Sequence, residues 1–411
     1  MSAASRPLEG IRVLDLTVAV AGPYGALLLG GLGAEVIHIE APGGGDIART
    51  NQPFVGSEGL NFGPRREGEV SLSILNRARN KKSVTLDLKR AEGRDLFLQL
   101  ARESDVVLEN LSEGAAARLG VGYEAVSAAN PRIVYGSISA FGVPSLYPGV
   151  KGVDILVQAA SGLMEVTGFA DGPPVRCGIP IADLLAPVFA VNGILSALIQ
   201  RGRTGKGQHV QVSMLDCLAS ILAEEHFDIY AQAGYPMRSG NSQDRMVPFG
   251  TYRCSDGQVA IVAFRPEWLK ELFDAMGRPE LQNDPRFASR DTRMRNAIAL
   301  NRLIEEWTGP RTTAAVVQEL LKRQIPAVRV RTAQEVLHDP QLLARGAVME
   351  LLPPSAATRA IGMGNPIQFS DAHAQFDQPA QALGQANEEI YGGLLKMSRQ
   401  DLDRLSAAGV I

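Results

Sequence analysis

Residues 11–40, IRVLDLTVAVAGPYGALLLGGLGAEVIHIE, constrain the fold more than any other stretch of the chain. An apolar run (IRVLDL) leads through a Gly/Pro-rich turn into an apolar helical segment (ALLLGGLGA) and a second apolar run (EVIHIE). Strands that read as unbroken apolar runs are buried on both faces, so the stretch predicts a βαβ unit of a parallel, helix-covered sheet. The turn from Ala19 to Gly25 then sits at the carboxyl end of the first strand, the edge at which open α/β sheets bind ligands. It is not a dinucleotide fingerprint: no G-x-G-x-x-G spans it, and Glu40 at the end of the second strand runs into a Pro-Gly-rich loop.

The alternation continues with a helix over Ala91–Glu103, a strand over Asp105–Asn110, a short helix ending at Arg118 and a strand over Arg132–Ser139. That makes about five strands in an α/β domain. A chain of 411 residues exceeds what one core normally supports, so a second domain is expected. The composition shifts near Glu224. A long helix over Met214–Ala233 and a polar loop, GYPMRSGNSQDRMVPFG, precede two short strands and three helices of a smaller α+β domain. The expected boundaries are 1–225 for the first part of the large domain, 226–331 for the small one, and 332–411 for a tail that docks back onto the large domain.

A net charge of −3, with both signs interspersed, provides no field for gathering nucleic acid or an anionic membrane. The most apolar stretch, Leu184–Gln200, is interrupted by Pro187, Asn192 and Gly193 and falls short of the ~20 residues of a membrane span. The N-terminus shows no basic region leading into an apolar core, so it reads as unprocessed. Three cysteines and five histidines are scattered at spacings that match no disulfide or metal framework. A cytoplasmic location and no metal are the expectations.

Chemistry concentrates in CGIPIADLLAPVFAVNGILSALIQRGRTGKGQ, Cys177–Gln208. Asp183 is the sole charge between Arg176 and Arg201, and it stands where small residues give way to an apolar helix. Such an aspartate can cap its own helix, or it can be presented as a reactive carboxylate to something entering from the front. The GRTGKGQ that follows lacks the G-K-[ST] ending of a P-loop and reads as a tight turn before a strand. Upstream, Asp46–Ser73 is a long polar loop. Arg77, Arg79, Lys81, Lys82, Lys89 and Arg90 behind it form the most basic segment, either a solvated face or a clamp for a diphosphate ligand.

Several ordered stretches together resemble the family III CoA-transferases, the group of formyl-CoA:oxalate and carnitine CoA-transferases. They are Leu8–Asp46, RNKKSVTLDLK (Arg79–Lys89), VVLENLSEGAAARLG (Val106–Gly120), NPRIVYGSISAFG (Asn130–Gly142), the Asp183 stretch, and TGKGQHVQVSMLD (Thr204–Asp216). The resemblance implies a doubly wound, Rossmann-like large domain with a smaller α+β domain inserted, and two subunits interlocked like links of a chain. It places the catalytic aspartate at Asp183 and CoA contacts at Lys89, Asn110, Leu111, Arg118 and Lys151. Asp154 matches an acidic position near the nucleophile, with a solvated helix cap as its other reading. Val20 and Ala21 lie in the turn suited to supplying oxyanion donors, and Arg238 and Arg245 are candidates for pairing with a distal substrate carboxylate.

The implied reaction transfers CoA from an acyl-CoA, expected to be succinyl-CoA or acetyl-CoA, to a carboxylic or dicarboxylic acid. It needs no permanently bound cofactor, because each step exchanges groups of similar energy. The partners are then the acyl-CoA and acid substrates and a second copy or paralogous subunit. The oxalate-specific members carry a glutamine where this chain has Val20, a basic residue where it has Ala41, and a glycine run in the loop that here spans Arg238–Arg245. Those departures point away from formyl-CoA with oxalate. Two other readings stand beside this one: an α-methylacyl-CoA racemase, whose histidine base would fall at Val153, and a non-catalytic CoA-binding subunit.

Overall fold

Six strands build one all-parallel sheet: β1 (Arg12–Asp15), β2 (Glu35–Glu40), β3 (Lys81–Thr85), β4 (Val106–Glu109), β5 (Val134–Ser139) and β6 (Gln208–Ser213). Their order is β3-β2-β1-β4-β5-β6, so the chain steps outward from β1 and then returns to its other side. Connections leave in opposite directions at β1 and β4, which opens a crevice at their carboxyl ends. The structure is a computed structural model that describes residues 5–243, 245–352 and 358–411.

Period-two alternation sends neighbouring strand residues to opposite faces, and both faces are covered. Val13, Val36, Val106, Leu108 and Ile138 pack on one side against α1 (Ala21–Gly31) and the long helix Ile181–Thr204. Leu14, Ile37, Val107 and Tyr135 pack on the other, against helix Ala91–Arg102 and the C-terminal residues Tyr391, Leu402, Leu405 and Val410. The tail also closes the open edge of the sheet: Asp87 N–H donates to Val410 O (2.8 Å) and Tyr391 Oη to Thr85 O (2.8 Å).

The chain divides into two units, one of Met1–Leu163, Cys177–Glu224 and Leu337–Ile411, the other of Met164–Arg176 and Glu225–Val336. The second holds a three-stranded antiparallel sheet (Phe249–Cys254, Gly257–Val262, Ala327–Arg329) around Val259, Ile261, Phe273, Ile304 and Leu320. Met164–Arg176, expected in the large domain, belongs to the second unit because Arg238 donates to the carbonyls of Glu165, Phe169 and Gly172.

Three local expectations are corrected. Met214–Ala233 is two helices, Met214–Leu222 and Phe227–Gln232. The Asp46–Ser73 loop contains a small antiparallel sheet (Phe54–Gly56, Gly59–Asn61, Val70–Ser71). Ile181–Thr204 is one helix of 24 residues with mean hydropathy 1.8, long and apolar enough to cross a membrane by length and composition alone. Its Ala182, Ala186, Ala190 and Ile194 are buried in the first unit.

A buried ionic array crosses β1, β2 and β3. Lys81 Nζ lies 2.8 Å from Asp15 Oδ2, and His38 Nδ1 2.9 Å from the same oxygen. His38 Nε2 faces Glu40 (3.8 Å) and Asp46 (3.9 Å), and Arg49 grips Glu40 through two bonds of 2.7 Å. Glu40 is thereby committed to the fold rather than to a nucleotide ribose. Asp15, Glu40 and Asp46 are balanced by Lys81, Arg49 and a protonated His38. Burial alone would lower the pKa of His38, but Asp15 overrides it and holds the imidazole above its ordinary 6.5. Stability from His38 is therefore complete below about pH 6.5 and lost as pH rises through its raised folded value. His38→Gln should cost about 3–5 kcal/mol in urea unfolding at pH 6 by leaving a buried carboxylate uncompensated. His38→Lys should remove the alkaline decline seen in the same titration of the wild type.

Candidate active site

Two helix N-termini meet the carboxyl edge of the sheet. The first follows β1 through the turn Thr17–Val20, which is held from three sides. Thr17 N–H donates to Asp15 Oδ1 (3.0 Å) and Ala19 N–H to Asp46 Oδ1 (3.0 Å). Asn110, just past β4, pairs with both polar groups of Val18, accepting at 2.8 Å and donating at 2.9 Å. Ala19 is driven to φ 66°, and a Cβ on Gly22 would fall 2.3 Å from Thr17 Cβ, so only glycine fits. Helix α1 thus begins at Ala21, earlier than the sequence suggests, with Pro23 tolerated in its first turn. No side chain caps it, which leaves N–H groups of the Val20–Gly22 segment available to an anion.

The second N-terminus opens α2 (Ile181–Thr204). This helix touches α1 where Pro187 Cβ lies 3.4 Å from the Cβ position of Gly25. Pro187 has no N–H, so the carbonyl of Asp183, four residues back, is released from the helical ladder. Asp183 does not cap its own helix. The cap comes from Asp154, at the start of the helix Asp154–Ala160: its Oδ1 accepts from Ala182 N–H (2.8 Å) and Asp183 N–H (3.4 Å). Its Oδ2 accepts from Gln158 Nε2 (2.6 Å), and Gln158 Oε1 in turn accepts from Cys177 N–H (2.8 Å).

The Asp183 carboxylate, half-buried, accepts no hydrogen bond among the described residues. Burial first, and the neighbouring Asp154 second, raise its pKa to about 6, against a partial offset from Arg77. A partly desolvated carboxylate with its charge unshared has the attributes of an activated nucleophile.

Other expected residues are distributed unevenly. Lys89, Arg118 and Lys151 are exposed on connections at the carboxyl side of β3, β4 and β5. Leu111 is half-buried and lines a cavity of about 400 Å³ with Glu109, Tyr123, Ser137 and His209. Asn110 has its amide committed to Val18, so it shapes the turn rather than offering a free group to a nucleotide. Asp154 is neither solvated nor free for substrate: it is 8% exposed and caps another helix.

Arg238 and Arg245 lie in the second unit and are both engaged. Arg238 serves three carbonyls and Glu165, and Arg245 serves Glu225 (2.6 Å) and Tyr230 Oη (2.7 Å). The expected pairing of either with a substrate carboxylate therefore has no free guanidinium to rest on. Asp244 of their loop lies outside the described residues.

Three of the six residues of the basic segment are committed to the fold rather than free for a diphosphate. Arg79 binds Asn76 and the Met363 carbonyl, Lys81 binds Asp15, and Lys82 bridges Glu35 and Glu389. Arg77 alone among Arg77, Arg79, Lys81 and Lys82 forms no hydrogen bond or ion pair among the described residues. Its buried Nε has no acceptor.

A half-buried, unshared carboxylate at the lip of a helix in an α/β unit fits acyl- or CoA-transfer chemistry, and comparison supplies the family. The chain belongs to CoA-transferase family III, whose model matches residues 8–387. It is 35% identical over 391 residues to the acetyl-CoA:oxalate CoA-transferase of Acetobacter aceti, covering 95% of each chain. It is 36% identical to the succinyl-CoA–D-citramalate CoA-transferase of Chloroflexus aurantiacus, covering 99% of this chain and 98% of that one. A solved CAIB/BAIF family protein from Brucella suis superposes with a TM-score of 0.82 at 34% identity, over 95% of this chain and all of the other.

With Asp183 reacting only when ionised, kcat/KM for the acyl-CoA should rise through about pH 6 and level off above it. Asp154→Asn keeps an acceptor for the helix N–H groups but removes the adjacent charge. It should move that acid limb to lower pH, and lower the melting temperature because its Nδ2 would face the Gln158 Nε2 donor, as read by pH–rate profiles and melting curves.

Proposed function

We propose that the protein moves CoA from succinyl-CoA or acetyl-CoA to a dicarboxylic acid through covalent intermediates on Asp183. The observation that carries this is the uncapped, half-buried Asp183 carboxylate, relieved of helix capping by Asp154. An Asp183 oxygen attacks the thioester carbonyl carbon. The tetrahedral oxyanion collapses with cleavage of C–S, giving an aspartyl-acyl anhydride and CoA thiolate. The thiolate attacks the aspartyl carbonyl carbon and the donor acid leaves as a carboxylate. The acceptor carboxylate then attacks the aspartyl-CoA thioester, and the thiolate returns to the acceptor's acyl carbon, regenerating Asp183. No proton changes hands, so each transition state needs charge stabilisation rather than acid–base chemistry. The free first-turn N–H groups at Val20 and Ala21 are the candidates to supply it.

The acceptors named for the two relatives, oxalate and citramalate, are both dicarboxylic acids, which supports the same class here. Lys89, Lys151 and Arg118 are exposed cations suited to the phosphates of CoA. A second copy of the chain is the proposed cover for the apolar side chains that the first unit leaves exposed at Ile155, Leu156, Ile179, Val188, Phe189 and Ile199. The racemase reading lacks its base, since Val153 stands where the histidine would be.

Incubation with succinyl-CoA followed by digestion should yield the peptide containing Asp183 with an adduct mass. Asp183→Ala should lose both the adduct and about a thousandfold or more of the transfer rate. Wild-type turnover without any adduct, or a variant that retains the rate, would contradict the mechanism.

A further inference from the structure

Arg77 is the unexplained group of this site. It ends the short helix Leu72–Arg77, is half-buried, and carries a solvent-shielded Nε with no acceptor. Buried donors in native proteins are almost always paired, so an orphaned Nε calls for an account. The carboxylates whose charge it feels are Asp46 and Asp183, and it pairs with neither. Asp46 is already committed, accepting from Ala19 N–H (3.0 Å) and Ala48 N–H (2.8 Å) and facing His38. Asp183 must stay unpaired to react. Arg77 thus feels both carboxylates' charge yet has no acceptor at its buried Nε and no hydrogen bond or ion pair among the described residues, and the ligand that fits such a planar fork is a carboxylate.

We infer that Arg77 is the residue that reads the second, non-reacting carboxylate of the acid substrate, and so sets the preference for dicarboxylic over monocarboxylic acids. This rests on the transferase reading above. The reacting carboxylate is excluded as its partner on chemical grounds. That group must attack the aspartyl-CoA carbonyl as a nucleophile, and a bidentate guanidinium would draw charge from both of its oxygens and blunt the attack. The second carboxylate has no such requirement. It also gives the unpaired Nε an acceptor and the guanidinium a directly bonded counter-charge, neither of which a methyl group in its place could supply.

In the sequence Arg77 is one of six basic residues in a run, and nothing there distinguishes it. The structure does so by accounting for its neighbours: Arg79 is anchored to Asn76 and Met363, Lys81 to Asp15 and Pro23 O, and Lys82 to Glu35 and Glu389. The arginines first suspected of this role, Arg238 and Arg245, are closed off by Glu165 and Glu225.

The test uses acetyl-CoA, a donor without a second carboxylate, and compares kcat/KM for glutarate with kcat/KM for pentanoate, which has the same chain length and one carboxylate fewer. The wild type should prefer glutarate. In Arg77→Met that ratio should fall at least tenfold, through a raised KM for glutarate, and Arg77→Lys should recover part of it. Because Arg77 has no partner to abandon, Arg77→Met should melt no lower than the wild type, which separates recognition from misfolding. A wild type indifferent to the second carboxylate, an unchanged ratio in Arg77→Met, or an equal fall for both acids would overturn the assignment. Absence of an Asp183 adduct in the wild type would instead overturn the transferase reading itself.

Discussion

The carboxylate of Asp154, lent across to the N-terminus of another helix, is the interaction on which the site depends. A helix start has unpaired N–H groups, which the side chain of the residue just before the first turn normally satisfies, and here that residue is Pro180, which cannot. Here Ala182 N–H and Asp183 N–H are satisfied from outside, and Asp154 is locked in turn by Gln158. The capping role is filled by Asp154, and on the proposed mechanism the reactive role, which competes with it for a single aspartate in the sequence, is left to Asp183. That division leaves Asp183 with an unshared charge, and the proximity of the cap's own charge helps raise its pKa to about 6. A carboxylate so placed is destabilised in its ionised ground state and is relieved when it forms a neutral acyl bond and the charge departs on the leaving group.

The opposing helix is positioned by a different kind of force. Its leading turn is gripped at Thr17, Ala19 and Pro23 by Asp15, Asp46 and Lys81, all members of the buried ionic array. Ion pairs in a core contribute little net stability, but they resist displacement because moving one member strands the rest. An array anchored on three parallel strands therefore fixes the Val20–Gly22 backbone far better than loop contacts alone could. The Gly25–Pro187 contact then registers the two helix starts against each other.

Much of this was legible in the chain. The unbroken apolar runs at β1, β2, β4 and β5 announced a sheet covered on both sides, and the small residues around Asp183 announced a carboxylate with little to cover it. What periodicity could not show was which polar groups would be mutually satisfied. Asn110 looked like a ligand contact and is a staple for Val18; Asp154 looked solvated and is a cap; Arg238 and Arg245 looked available and are engaged. Pairing across 20 to 92 residues of sequence is a property of the folded backbone, and a run of basic residues gives no sign of which member will be left without a partner. The helix boundary at Ala21 was also missed, because Pro23 and Gly25 read as turn residues although a first helical turn accepts them.

A crystal structure of the enzyme flash-cooled during turnover with an acyl-CoA tests the division of roles most directly. Density should continue from an Asp183 side-chain oxygen or carbonyl carbon into acyl or CoA sulfur, with Asp154 Oδ1 still in hydrogen-bonding range of Ala182 N–H. An Asp183 carboxylate folded back onto its own helix N–H groups, with Asp154 released to solvent and no bond to substrate, would contradict the account.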